Sequence, residues 1–114
     1  MAIINCTPHP INVKLNGEVT VFTASGFIAR VGSSFESSKE VGEFASFTVS
    51  YGEITGLPVI NNDDYVIVSS LVLEAAKNCK HPNLAQMVAP ATGHPACTRN
   101  EKGHIESVPG FVRA

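Results

Sequence analysis

Chemistry is first suggested by Thr7-Pro8-His9-Pro10, set inside INCTPHPINV (residues 4–13). Pro10 removes a backbone donor, and the two prolines hold His9 in extended or polyproline geometry. Thr7 and His9 can then meet a ligand from a stiff edge, with little entropy lost on binding. The same residues also make a plain turn, with His9 bonded to a nearby carbonyl and Thr7 closing the loop. A second spot is Ser69-Ser70, where β-prone residues 65–68 give way to helix formers. A strand feeding a helix collects free N–H groups and the positive end of the helix dipole, which can hold a phosphate. An ordinary cap, with Ser70 as the N-cap, is the simpler alternative. Arg30 and Arg99 are the charge partners such a site would use, because a guanidinium bonds phosphate in bidentate fashion. No G-x-x-x-x-G-K-[ST] motif is present, so this is not the loop of a nucleotide hydrolase.

Two other constellations deserve weighing. Cys6-x-x-His9 and His94-x-x-Cys97 are mirror-image pairs that together have the donors for tetrahedral zinc. Neither has finger spacing, and Pro8 and Pro95 restrict each short loop, so no bound metal is expected. Cys97 with His94 or His104 would make a thiolate–imidazolium pair. No helix N-terminus is expected near Cys97, which leaves a small hydrolase as the weakest functional reading. Asp63-Asp64 falls in a turn, and Glu36, Glu40 and Glu43 read as a solvated loop.

The elements that must position these residues are mostly strands. Ile11, Val13 and Leu15 alternate with polar residues, as do Val19 and Val21 beyond Asn16-Gly17. Putting the apolar residues on one face calls for a three-residue loop, Asn16-Gly17-Glu18, pairing Leu15 with Val19. Phe27, Ala29 and Val31 predict a third strand. The Ser-rich GSSFESSKEVG reads as a mobile loop, and Phe47, Val49 and Tyr51 predict another strand. YVIVSS is a strand buried on both faces. It leads into one helix at about residues 70–80, with Leu71, Val72, Ala75, Ala76 and Cys79 as its apolar stripe and Pro82 beyond its end. NLAQMV adds a short helical turn, and ACTR pairs with HIESV across NEKG. The expectation is α+β: one domain over residues 1–114, a twisted, mainly antiparallel sheet with one helix packed on it. Pairing of the first strand beside YVIVS would bring residues 9 and 70 to one pocket.

With those pieces placed, the chain resembles a family of small phage and prophage proteins whose starts read Asn-Leu-Thr-Pro-His-x-Ile/Val. Asn5, Thr7, Pro8, His9 and Ile11 match, with Cys6 in place of Leu, and FIARV, YGEITGLP, YVIVSSLVLEAA and TRNEKGHIESV extend the likeness. The resemblance implies a viral or prophage origin but carries no activity with it; a small, acidic, globular phage protein without an evident virion role is often an accessory or anti-defence factor, and the expected setting is the host cytoplasm.

Bulk properties bound what remains. The 114 residues are enough for one domain, and the net charge of −2 disfavours non-specific binding to nucleic acid or anionic membrane. No apolar run approaches the roughly 20 residues that span a bilayer. Three widely spaced cysteines suggest free thiols rather than a disulfide framework. Arg30, Arg99 and Arg113 could still converge into a local basic pocket. No motif calls for a cofactor. The leading expectation is a non-catalytic protein that sequesters a small anionic ligand, such as a cyclic nucleotide or an ADP-ribose derivative, through Thr7, His9, Ser69, Ser70, Arg30 and Arg99. The alternative is an interaction or assembly protein that binds a host or virion protein. A homo-oligomer is expected, because a small chain rich in strands leaves sheet edges exposed.

Overall fold

The computed structural model describes residues 1–114. In chain order the elements are β1 (Ile3–Asn5), β2 (Ile11–Leu15), β3 (Glu18–Phe22), β4 (Arg30–Ser37), β5 (Phe47–Thr55), β6 (Tyr65–Ile67), α1 (Ser70–Cys79), β7 (Met87–Pro90), β8 (Thr98–Arg99), β9 (Ile105–Ser107) and β10 (Phe111–Val112). A 3-10 turn, Leu84–Gln86, precedes β7. The central sheet runs β1-β6-β7-β10. Its first three strands are parallel and β10 is antiparallel. Around it lie three antiparallel hairpins, β2–β3, β4–β5 and β8–β9. The architecture is the expected α+β, with antiparallel pairing in the majority but parallel pairing at the centre.

The parallel centre follows from the residues. Val66, Ile67 and Val68 form an uninterrupted β-branched run, fully buried, as a strand covered on both faces requires. Parallel neighbours need a crossover, and α1 supplies it between β6 and β7. Val72, Leu73 and Ala76 of α1 pack with Cys6, Val66, Val68, Met87 and Ala89 in one cluster. Full burial of a Val or Leu side chain contributes about 1.5–3 kcal/mol. No helix is long and apolar enough to cross a membrane.

Several local expectations are corrected. The β2–β3 hairpin closes on two residues, with Leu15 opposite Glu18 and Val13 opposite Thr20. Asn16 and Gly17 both have positive φ, 52° and 83°, the geometry of a type I′ turn. The face argument fails here because this hairpin is largely exposed, Leu15, Val19 and Val21 included; with no buried face to set the register, turn chemistry sets it. The Ser-rich stretch is not a loop. It forms most of β4, pairing from Ser33–Tyr51 out to Ser37–Phe47. A tight turn at Val41–Phe44 closes the ribbon. The strand expected at Phe27 begins only at Arg30. In α1 the buried residues are Val72, Leu73, Ala75 and Ala76, while Leu71 and Cys79 are exposed.

The radius of gyration is 16.3 Å, against about 13 Å for a compact domain of this length. The β4–β5 ribbon is the longest strand pair, 8 and 9 residues, and its outer half carries exposed Phe35, Phe44 and Phe47.

Candidate functional site

Pairing of β1 with β6, Ile3 to Tyr65 through Asn5 to Ile67, brings the loop after β1 beside the start of α1. The Cys6 amide donates to the Ile67 carbonyl at 2.9 Å, and the Cys6 carbonyl accepts from Ala29 N–H at 2.9 Å. The space between these segments is a groove of about 370 Å³, lined by Cys6, Thr7 and Pro8, by Ile28 to Val31, and by Ser69, Leu71 and Val72. It opens at the carboxyl ends of two parallel strands, the position where open parallel sheets commonly bind ligands.

The loop that brings Thr7 to the groove is held by a residue that the sequence does not single out as functional. Asn5 is 2% exposed. Its amide nitrogen donates to the His9 and Phe22 carbonyls, both at 2.8 Å. Its carbonyl oxygen accepts from the Thr7 amide at 3.0 Å and the Thr7 hydroxyl at 2.6 Å. The Thr7 hydroxyl also lies 2.9 Å from the His9 carbonyl. Both oxygen partners of Thr7 are therefore protein groups. Thr7 closes the loop, as the plain-turn reading holds, and the bonds to His9 go to its backbone carbonyl. Asn5 was visible only as a letter of the family pattern; Asn two residues before Thr is the signature of an Asx-turn. Gly56 is a second missed residue. With φ at +85°, a Cβ there would sit 1.9 Å from the Ile28 carbonyl oxygen, so only glycine lets β5 return beneath the groove wall.

The anion-binding potential lies on the other side. Ser69, not Ser70, is the N-cap: its backbone is extended and its hydroxyl accepts from the Val72 amide at 3.2 Å. The Leu73 amide already bonds the Ser69 carbonyl. The Ser70 and Leu71 N–H groups belong to the first turn, where helical geometry offers no partner. Acidic residues are absent from that turn. Arg30 is the only charged residue in the groove's lining. It is exposed and free of the backbone bonds that engage Arg99 and Arg113. Pro8, Ile28, Val31 and Leu71 supply an apolar wall.

Of the six residues expected to bind ligand, Thr7, Ser69 and Arg30 line this groove, while His9, Ser70 and Arg99 do not. His9 and Ser70 are exposed residues that neighbour lining residues in the chain. Arg99 sits in the polar concavity of the last hairpin with Asn100, Lys102 and His104, its guanidinium donating to the Gly103 and Thr92 carbonyls. Arg113 lies over the Tyr65 ring at 5.7 Å. The three arginines therefore do not converge.

The Cys/His pairs do not meet either: no group of three or more His, Cys, Asp or Glu side chains is placed to hold a metal ion. His94 Nδ1 accepts from the Ala96 amide and the His94 carbonyl from the Cys97 amide, which makes this pair a turn. In the groove itself, burial pushes the Cys6 thiol up from its ordinary pKa, against a smaller lowering by a hydrogen bond to Ser25. Both its burial in the core and this shift favour the neutral thiol over the thiolate. Comparison with protein-family models, curated proteins and solved structures finds no match to this chain.

Proposed function

We propose that the chain captures a small phosphate-bearing molecule in the groove between β1, β4 and α1, and does so without chemistry. The observation that carries this reading is the lining: one uncommitted cation, Arg30, shares the groove with the cap and first turn of a helix, and no carboxylate is among the lining residues. A phosphate there would accept from the Ser70 and Leu71 amides and from the guanidinium. The apolar wall suits a flat, weakly polar portion such as a nucleobase, and the groove's volume falls within the range of small-molecule sites. The lining holds no His, Asp or Glu to act as general acid or base, which supports sequestration over turnover. The likeness to phage proteins supports a nucleotide signal of host defence as the ligand class, cyclic nucleotides and ADP-ribose derivatives first among them, met in the host cytoplasm.

The test is a thermal-shift and calorimetric panel of cyclic nucleotides, ADP-ribose derivatives and inorganic phosphate. At least one phosphorylated compound should raise the melting temperature. Arg30→Ala should weaken its binding by on the order of 1–3 kcal/mol, the contribution of a charged hydrogen bond. Arg99→Ala and His9→Ala should leave it unchanged. A panel without any shift, or a shift that survives Arg30→Ala, removes the proposal. The assembly-protein reading then takes precedence, favoured by the exposed aromatic residues of the β4–β5 ribbon.

A further inference from the structure

The β4–β5 ribbon has two chemically distinct faces. Its register sets Phe35 opposite Val49, Ser37 opposite Phe47 and Ser33 opposite Tyr51. Phe35, Phe47, Val49 and Tyr51 therefore share one face, where the two Phe rings meet edge-on with centroids 6.4 Å apart. The other face carries Ser34, Glu36, Thr48 and Ser50, with the Ser34 and Ser50 hydroxyls 2.7 Å apart. A register shift between Val31 and Ser33 places Ile54 opposite Val31. The extra residue it adds to β5 keeps the apolar face continuous to the ribbon's root. At the root, Val31 and Ile54 are covered by the hydrophobic core. Further out the same face is bare: Phe35 is 65%, Phe47 57% and Val49 46% exposed. Val41 and Phe44 at the tip are 66% and 69% exposed.

An antiparallel sheet with one apolar face is a half-covered object, and two strands alone are marginally stable in water. We infer that a second copy of this chain covers the outer half, the two ribbons packing face to face about a two-fold axis. Area is the first reason. Phe35, Phe47 and Val49, which the register sets on this face, expose roughly 300 Å² per chain, taking an aromatic at about 200 Å². A symmetric pair doubles this, and with Tyr51, the adjoining serines and backbone it has the size of a weak, dissociable interface, below the roughly 1,200 Å² of stable ones. Charge is the second. Glu36 is on the opposite face, so Phe35, Phe47 and Val49 can meet their own copies without burying an unpaired charge. A basic partner would find its complement on the wrong side. Shape is the third, because period-2 apolar faces of twisted ribbons stack at about 10 Å with their strands nearly aligned. The inference stands apart from the ligand reading, since Arg30 and the α1 first turn lie at the root.

Sedimentation velocity over a dilution series tests it. The wild-type chain should sediment as a dimer at high micromolar concentration and dissociate on dilution. The double variant Phe35→Ser, Phe47→Ser should associate at least tenfold more weakly, with an unchanged circular dichroism spectrum. Glu36→Lys, on the opposite face, should dimerise as wild type. Should the double variant lose its fold, hydrogen exchange on the wild type decides: β4–β5 amides should lose protection on dilution while those of α1 do not. A wild-type monomer at high micromolar concentration, a folded double variant that still dimerises fully, or dissociation that leaves the ribbon amides unchanged would each overturn the inference. Ligand binding that persists in a monomer would leave the groove reading intact.

Discussion

At the scale of single residues, the answer to the two prolines around His9 lies one step upstream. Asn5 ties the Thr7 amide, the Thr7 hydroxyl, the His9 carbonyl and the Phe22 carbonyl into one buried knot. Pro10 then continues the chain into β2 without adding a backbone donor for the knot to satisfy. Asn5→Ala should cost on the order of 2–4 kcal/mol, because it leaves buried partners unpaired as well as removing bonds; urea unfolding of wild type and variant would measure this. Cys6 gives a prediction with a sign. Its pKa is raised in the fold by burial, so the folded chain holds the thiol proton more tightly than the unfolded chain. The stability tied to Cys6 is thus fully present below the unfolded thiol pKa, about 8.5. It is lost progressively as pH rises from there through the folded value. Unfolding free energies of wild type and Cys6→Ala, measured from pH 7 to 10, should show the steeper alkaline fall in wild type. Parallel curves would refute this assignment.

At the scale of elements, the start of α1 offers a sharp contrast. Ser69 accepts from the Val72 amide and Ser70 makes no such bond. Ser69→Ala should therefore destabilise by about 1 kcal/mol, and Ser70→Ala by a small fraction of that, as read by thermal unfolding of the two variants. The sequence marked this junction to within one residue, because the switch from β-branched residues to helix formers is abrupt there. It also showed YVIVSS as a buried strand and placed the last hairpin, since each signal is local. What stayed hidden was non-local or depended on exposure. The β4 strand is built from Gly32, Ser33, Ser34 and Ser37 around Phe35, a composition that reads as loop until its partner, the Phe47–Thr55 strand, supplies the ladder. The Asn16-Gly17 register departs from the face-matched one because an exposed hairpin has no core face to set it. Leu71 fits the apolar stripe by spacing, but helix phase turns it to the groove and Leu73 inward.

At the scale of the whole molecule, a parallel three-strand centre and its single crossover helix create the groove, and the ribbon that projects from its wall supplies Arg30 and Val31 to it. Three of the six expected residues line one groove, those next to strand ends and the helix start. The other half depended on long-range placement: Arg99 belongs to a hairpin whose own carbonyls occupy it. The central claim is that an anion sits on the α1 first turn opposite Arg30. The most direct measurement is an amide nitrogen–proton correlation titration of the labelled protein with a phosphorylated compound that raises its melting temperature. The account predicts that the Ser70 and Leu71 amides and the Arg30 side-chain resonance move together along one saturable curve, with Asn100 and Lys102 unmoved. Saturable shifts confined to the last hairpin, with Ser70 and Leu71 static, would contradict it.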